Sequence, residues 1–165
     1  MVEAVSAKLI SLVGQEFVGA VILVVLSVMH GRSEKYGSLL MVLFRLPSTF
    51  IHESCHLIMA LLTFSGPTSF SIIPHRHEDM WTLGSVECNR INFFSAVPVA
   101  LAPAIICLPA SWACFSNHSI QGYVLFYLFI TSSVPSKADL IAATHSIIGL
   151  IFWLCVPIIG YFLFY

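Results

Sequence analysis

Two histidines and a glutamate lie close together in the stretch His52-Glu53-Ser54-Cys55-His56. In a helix, residues four positions apart lie about one turn apart on the same face, so both imidazoles can bind one metal ion. Glu53 would then stand about 100° round the helix, beside the metal. This HExxH pattern predicts a site for one zinc ion, with His52 and His56 as ligands and Glu53 as the catalytic base.

Catalytic zinc usually has three protein ligands and one open position, so the motif needs a third ligand. Of the eight acidic residues, only Glu53 and Asp139 lie in or at the edge of apolar runs. Asp139 follows a Pro-Ser break, where Ser136 can cap a helix and fix the direction of the carboxylate. Asp139 is therefore our first choice, although it can instead serve as a helix cap or as the counter-ion of Arg45 or Lys137.

Two other residues compete with Asp139 for the third position. Glu87 lies 31 residues after His56, a spacing similar to that of gluzincin-type metallopeptidases. His145 lies in the last apolar segment and ranks below both carboxylates, because we expect it to be a hydrogen-bonded interior residue. The predicted ligand set is thus His52, His56 and Asp139, with Glu87 as the alternative.

The composition is that of a membrane protein. The 165 residues are 58% hydrophobic and only 9% charged, against about 25% charged in soluble domains. A net charge of −1 leaves no basic surface for phosphates, which argues against nucleic-acid binding. Five cysteines without a CxxC pair indicate no disulfide framework. We expect an integral, multi-pass protein whose partner is the lipid bilayer, and no cleavable signal peptide.

The elements that must position the site are apolar helices. We predict one domain, 1–165, of an all-α polytopic membrane protein with about five apolar segments and four to six spans. Pro47, five residues before His52, should either kink the motif helix or start a new one, and both geometries place the metal below the membrane surface. The predicted segments are Leu9–Met29, Ser38–Phe64, Ile91–Phe115, Ile120–Ser132 and Leu140–Tyr165.

After the motif helix, residues 65–89 form short apolar runs separated by glycine, proline and polar residues. Two short runs, Phe70–Ile73 and Leu83–Glu87, predict β-strands. The polar residues between them, His75–Asp79, predict a turn. We therefore expect a short β-hairpin inserted after the motif helix.

Four features follow one another along the chain: the HExxH motif, Ala60–Thr63, the strand region Phe70–Val86, and Pro135–Asp139. In these features the sequence resembles the site-2 protease family of intramembrane zinc metalloproteases, especially its small, peptidase M-fifty-B-like branch. The resemblance covers about two thirds of the chain in order, although Cys55 stands where the family usually has glycine. It implies that His52, His56 and Asp139 bind zinc, that Glu53 is the general base, and that a strand near Ile72 or Val86 pairs with an extended substrate.

These observations predict a zinc metalloendopeptidase that hydrolyses membrane-embedded or membrane-proximal protein or peptide substrates. One alternative is a catalytically inactive zinc-binding membrane scaffold that binds single-span partners. A second is a gluzincin-type membrane metallopeptidase with Glu87 as third ligand. A metal-ion transporter ranks last, because too few ionisable residues lie in the apolar segments to form a path.

Overall fold

The computed structural model describes residues 2–33, 38–72, 75–77, 80–82 and 84–164. Within these ranges the chain is mostly helical, with a small β insertion after the second helix, as the sequence predicted. The helices are α1 (Val2–Ser33), α2 (Ser38–Leu62), α3 (Phe93–Ala100), α4 (Ala102–Phe115), α5 (Ile120–Ser132), α6 (Lys137–His145) and α7 (Ile147–Phe164). The strands are β1 (Pro67–Ser71), β2 (His75–His77), β3 (Met80–Thr82) and β4 (Ser85–Cys88).

One described helix is long and apolar enough to cross a membrane by itself, at Val13–Arg32 of α1. Two bent pairs meet the same test when each pair counts as one span: α3 with α4, bent by 41°, and α5 with α6, bent by 54°. The described residues therefore hold one to three candidate spans by length and composition. The larger number expected from the sequence stays a prediction.

The motif helix α2 runs without interruption from Ser38 to Leu62, with Pro47 inside it. Of the two predicted alternatives, a new helix at Pro47 is therefore not observed, and the motif lies inside a helix that begins at Ser38. At about 1.5 Å per residue, His52 lies about 21 Å from the first residue of α2. Cys55 is buried and its Sγ lies 3.4 Å from the Sγ of Cys107 on α4, so this residue packs between the two helices.

The β insertion is more extensive than predicted. Strands β1 and β4 pair antiparallel with Phe70 opposite Val86, so the outer hairpin is confirmed, although Ile72 follows β1 rather than belonging to it. The prediction of a turn over His75–Asp79 was wrong for its first three residues, which form β2 and pair with β3. Main-chain groups form this ladder, so polar side chains do not prevent it. Residues 73, 78, 79 and 83 of the predicted strands and turn lie outside the described part.

The C-terminal apolar run, predicted as one segment from Leu140, is two helices. It divides at Ser146, whose hydroxyl donates to the carbonyl oxygen of Phe93 at a distance of 2.8 Å. Gly149, one turn later, packs so closely on the same carbonyl that an added Cβ would collide with it. At the break the backbone of Ser146 leaves the helical conformation (φ −109°, ψ 69°), and both contacts hold this point of the chain against the start of α3. The break leaves α6 as a separate short helix.

Candidate metal centre

Three predicted ligand residues meet at one point between α2 and α6. His52 Nε2 lies 3.2 Å from His56 Nε2 and 3.3 Å from Asp139 Oδ2. His56 Nε2 lies 3.3 Å from Asp139 Oδ1. The three side chains are at most 16% exposed. Among the residues that the structure describes, they form the one group of three or more histidine, cysteine or acidic side chains that could hold a metal ion.

The spacing of these three donors fits tetrahedral coordination. Zinc bonds to imidazole nitrogen and carboxylate oxygen measure about 2.0–2.2 Å, and a tetrahedron with such bonds has edges of about 3.3–3.6 Å. The two separations of 3.3 Å lie at the lower limit of this range, and the His52–His56 separation of 3.2 Å lies 0.1 Å below it. Two imidazoles with one carboxylate also form a donor set that catalytic zinc uses in proteins, with a fourth position left open.

Each imidazole is oriented by a main-chain carbonyl on its far side. His52 Nδ1–H donates to the carbonyl oxygen of Ser132 at 2.8 Å, and His56 Nδ1–H donates to that of Val99 at 2.7 Å. A carbonyl can only accept, so the proton of a neutral ring lies on Nδ1 and Nε2 presents a lone pair. Two such lone pairs and a carboxylate converge here, and a cation between them would remove their mutual repulsion. Metal-binding histidines are typically oriented by an acceptor in this way.

Asp139 combines two of the roles that the sequence left open. Its backbone N–H donates to Ser136 Oγ at 3.2 Å, and its Oδ2 accepts from the backbone N–H of Ser136 at 2.7 Å. This reciprocal capping box starts α6 and holds the carboxylate toward the histidines. Capping and metal binding are therefore compatible at this residue, since the capped carboxylate still faces both Nε2 atoms.

We expect Ser136→Ala to weaken zinc binding by about 10–100-fold, the usual cost of losing a group that orients a ligand. The loss of the cap should also destabilise the protein by about 1 kcal/mol. Competition with a chromophoric chelator measures the affinity. The matched control is Ser119→Ala, which removes the N-cap of α5 that accepts from Gly122 N–H at 3.0 Å. Equal zinc affinity in the two variants would contradict the orienting role of Ser136.

Glu53 lines the same cavity as His52, His56 and Asp139, which we call the metal group. The cavity has a volume of about 900 Å³, and His52, Glu53, His56 and Asp139 all line it. Its other walls come from β4, α3, α6 and the start of α7. Glu53 does not belong to the metal group, so its carboxylate is free to accept a proton from a molecule bound in the cavity.

The two competing ligand candidates do not join the metal group. Glu87 is exposed on β4, opposite Ser69 in the strand ladder. His145 lines the cavity but is exposed in the last turn of α6, so the prediction of an interior histidine was wrong.

Three contacts of the site were not predicted. Two are the backbone carbonyls of Ser132 and Val99, which the sequence cannot single out because every residue carries a carbonyl. The third is Gly84, whose backbone lies against Glu53. A glycine next to a strand often marks a close approach of the backbone to another group, so a signal for it existed.

The fold and the site define a mostly helical protein with a candidate membrane span and a His/His/Asp group that could hold a metal ion. In comparisons with known proteins, no protein-family model, no curated protein and no solved structure matches the chain. Proposals about its function therefore depend on the geometry of this group and its cavity.

Proposed function

We propose that the protein is a multi-pass membrane zinc metallopeptidase, similar in mechanism to the site-2 protease family. The observation that carries the proposal is that Glu53 lines the same cavity as a His52, His56 and Asp139 group with tetrahedral spacing. A structural metal site closes its coordination with four protein ligands, whereas three ligands beside a carboxylate in an open cavity suit catalysis. The HExxH spacing on a continuous helix supports the same assignment.

A zinc ion held by these ligands would activate water near neutral pH and polarise a peptide carbonyl. Glu53 would take a proton from the attacking water and return it to the leaving amine, as general base and then general acid. The Ser132 and Val99 carbonyls would keep the imidazoles fixed during this exchange. The capping box would do the same for the carboxylate of Asp139.

The substrate of this reaction would be an extended, apolar segment of a membrane protein. A peptide in a regular helix has its carbonyls bonded internally, so it must unwind before water can attack it. Strand β4 contributes Ser85, Val86 and Cys88 to the cavity wall. An unwound segment that paired with β4 would keep its backbone hydrogen bonds satisfied next to the metal group.

Zinc removal tests the proposed activity. We expect chelation to abolish cleavage of a single-span substrate by the purified protein in lipid nanodiscs, and one equivalent of zinc to restore it. Magnesium should not restore cleavage, since it favours octahedral oxygen ligation. Zinc-loaded protein that binds single-span partners without cleaving them would contradict the proposal and favour the inactive scaffold.

A further inference from the structure

Gly84, which directly precedes β4, lies against the side chain of Glu53. A Cβ added at Gly84 would lie 2.6 Å from Glu53 Cγ, 3.1 Å from its Cδ and 3.2 Å from its Oε1. The first distance is shorter than van der Waals packing allows, so alanine and Glu53 in its present rotamer cannot coexist. The Glu53 side chain, from Cγ to Oε1, therefore occupies the space that a side chain at residue 84 would need.

Backbone hydrogen bonds at the base of the β insertion fix its position relative to α2. At its base, the backbone N–H of Asn89 donates to the Gly66 carbonyl at 3.1 Å, and that of Arg90 donates to the Ser65 carbonyl at 3.0 Å. From there β4 runs back along α2. Four strand residues cover about 13 Å, and the nine helical steps from Leu62 to Glu53 cover about the same distance. Anchoring at the end of α2 thus places residue 84 beside Glu53.

We propose that Gly84 is the positioning residue of Glu53, and that the β insertion thereby sets the direction of the catalytic carboxylate. The contact itself is independent of any activity, whereas its effect on catalysis rests on the proposed function. Glycine is required because its backbone can approach the glutamate without displacing it. A side chain at residue 84 would force Glu53 into another rotamer and turn its carboxylate away from the metal group.

Kinetics of Gly84→Ala test the consequence for catalysis. We expect kcat to fall by about 100-fold, the effect of misplacing a catalytic group by about 1 Å. The zinc content should stay at one equivalent, because the atoms nearest to an added Cβ all belong to Glu53. KM should stay within about threefold, as expected when the lost interaction is made in the transition state. The control is Gly160→Ala on α7, where an added Cβ meets no atom within 4 Å. A fall of zinc content in parallel with kcat would overturn the positioning role.

A spectroscopic double-mutant cycle tests the contact without any hydrolysis. The visible absorption of the cobalt-loaded protein reports groups next to the metal. Gly84→Ala should change this spectrum in the same direction as Glu53→Ala, and it should change nothing further in the Glu53→Ala background. An unchanged spectrum in Gly84→Ala, an equal change in both backgrounds, or wild-type protein that binds no cobalt would overturn the inference. Spectral coupling in a protein that cleaves nothing would overturn the proposed function and leave the positioning of Glu53 by Gly84 supported.

Discussion

Replacement of Glu53 by glutamine is expected to lower kcat by about 10²–10⁴-fold while zinc remains bound. General acid–base catalysis by one positioned group typically contributes this much. Glutamine fills the same space against Gly84 but cannot take a proton from water at neutral pH. The zinc content should stay at one equivalent, because Glu53 is not a member of the His52, His56 and Asp139 group. Cleavage rates at saturating substrate and elemental analysis of the same sample measure the two effects.

The matched control for this variant is Glu87→Gln. Glu87 is exposed on β4, and the change in charge and shape is identical. Wild-type rates in Glu87→Gln would locate the effect at Glu53. If Glu53→Gln cleaved at the wild-type rate with zinc bound, the hydrolytic mechanism would be wrong, and a function that needs only binding would explain the site better.

The second large effect is expected from Asp139→Ala, which should weaken zinc binding by more than about 100-fold. Losing even a group that orients a ligand costs about 10–100-fold, and Asp139 is itself a ligand candidate. Its carboxylate is also the one negative charge within the group, facing both Nε2 atoms at 3.3 Å. Without it, two imidazoles alone would hold the cation. Zinc titration against a chelator of known affinity measures the change.

Two further variants separate metal binding from other effects of Asp139. Asp139→Asn can still accept from the Ser136 N–H and keep the cap, so a comparable loss of zinc in this variant would assign the effect to the charge. Glu87→Ala should keep its zinc. Retention of zinc in Asp139→Ala together with its loss in Glu87→Ala would contradict the ligand set and support the gluzincin-type arrangement.

Local patterns account for the parts of the protein that the sequence could predict. His52 and His56 share a helix face because of their spacing, and their Nε2 atoms indeed lie 3.2 Å apart. The helix Ile120–Ser132 has the predicted bounds, since polar residues mark both of its ends. The position of Ser136 before Asp139 predicted the cap that the structure contains. Each of these features depends on residues within about one turn of helix.

Local patterns failed where a distant contact decides the backbone. At the helix break, Ser146 bonds to the carbonyl of Phe93, 53 residues earlier, and Gly149 packs on the same carbonyl. Similarly, β2 pairs with β3 through main-chain groups, so the polar side chains of His75–His77 misled the turn prediction. In both cases the competing interaction is invisible to a window of a few residues.

The sequence by itself determined the chemistry of the site: two imidazoles on one helix face, a glutamate beside them, and one further carboxylate at the edge of an apolar run. Only the tertiary structure decided how these groups meet. Helix α3 packs against both α2 and α6, which brings Asp139 to the histidines and the Val99 carbonyl behind His56. Packing of α5 against α2 places the Ser132 carbonyl behind His52. The β insertion likewise brings Gly84 to Glu53. Residue types and local spacing decide which atoms can bind a metal ion or transfer a proton. The contacts of Glu53 with Gly84 and of His52 with Ser132 join residues 31 and 80 positions apart, so they depend on the packing of whole helices and strands.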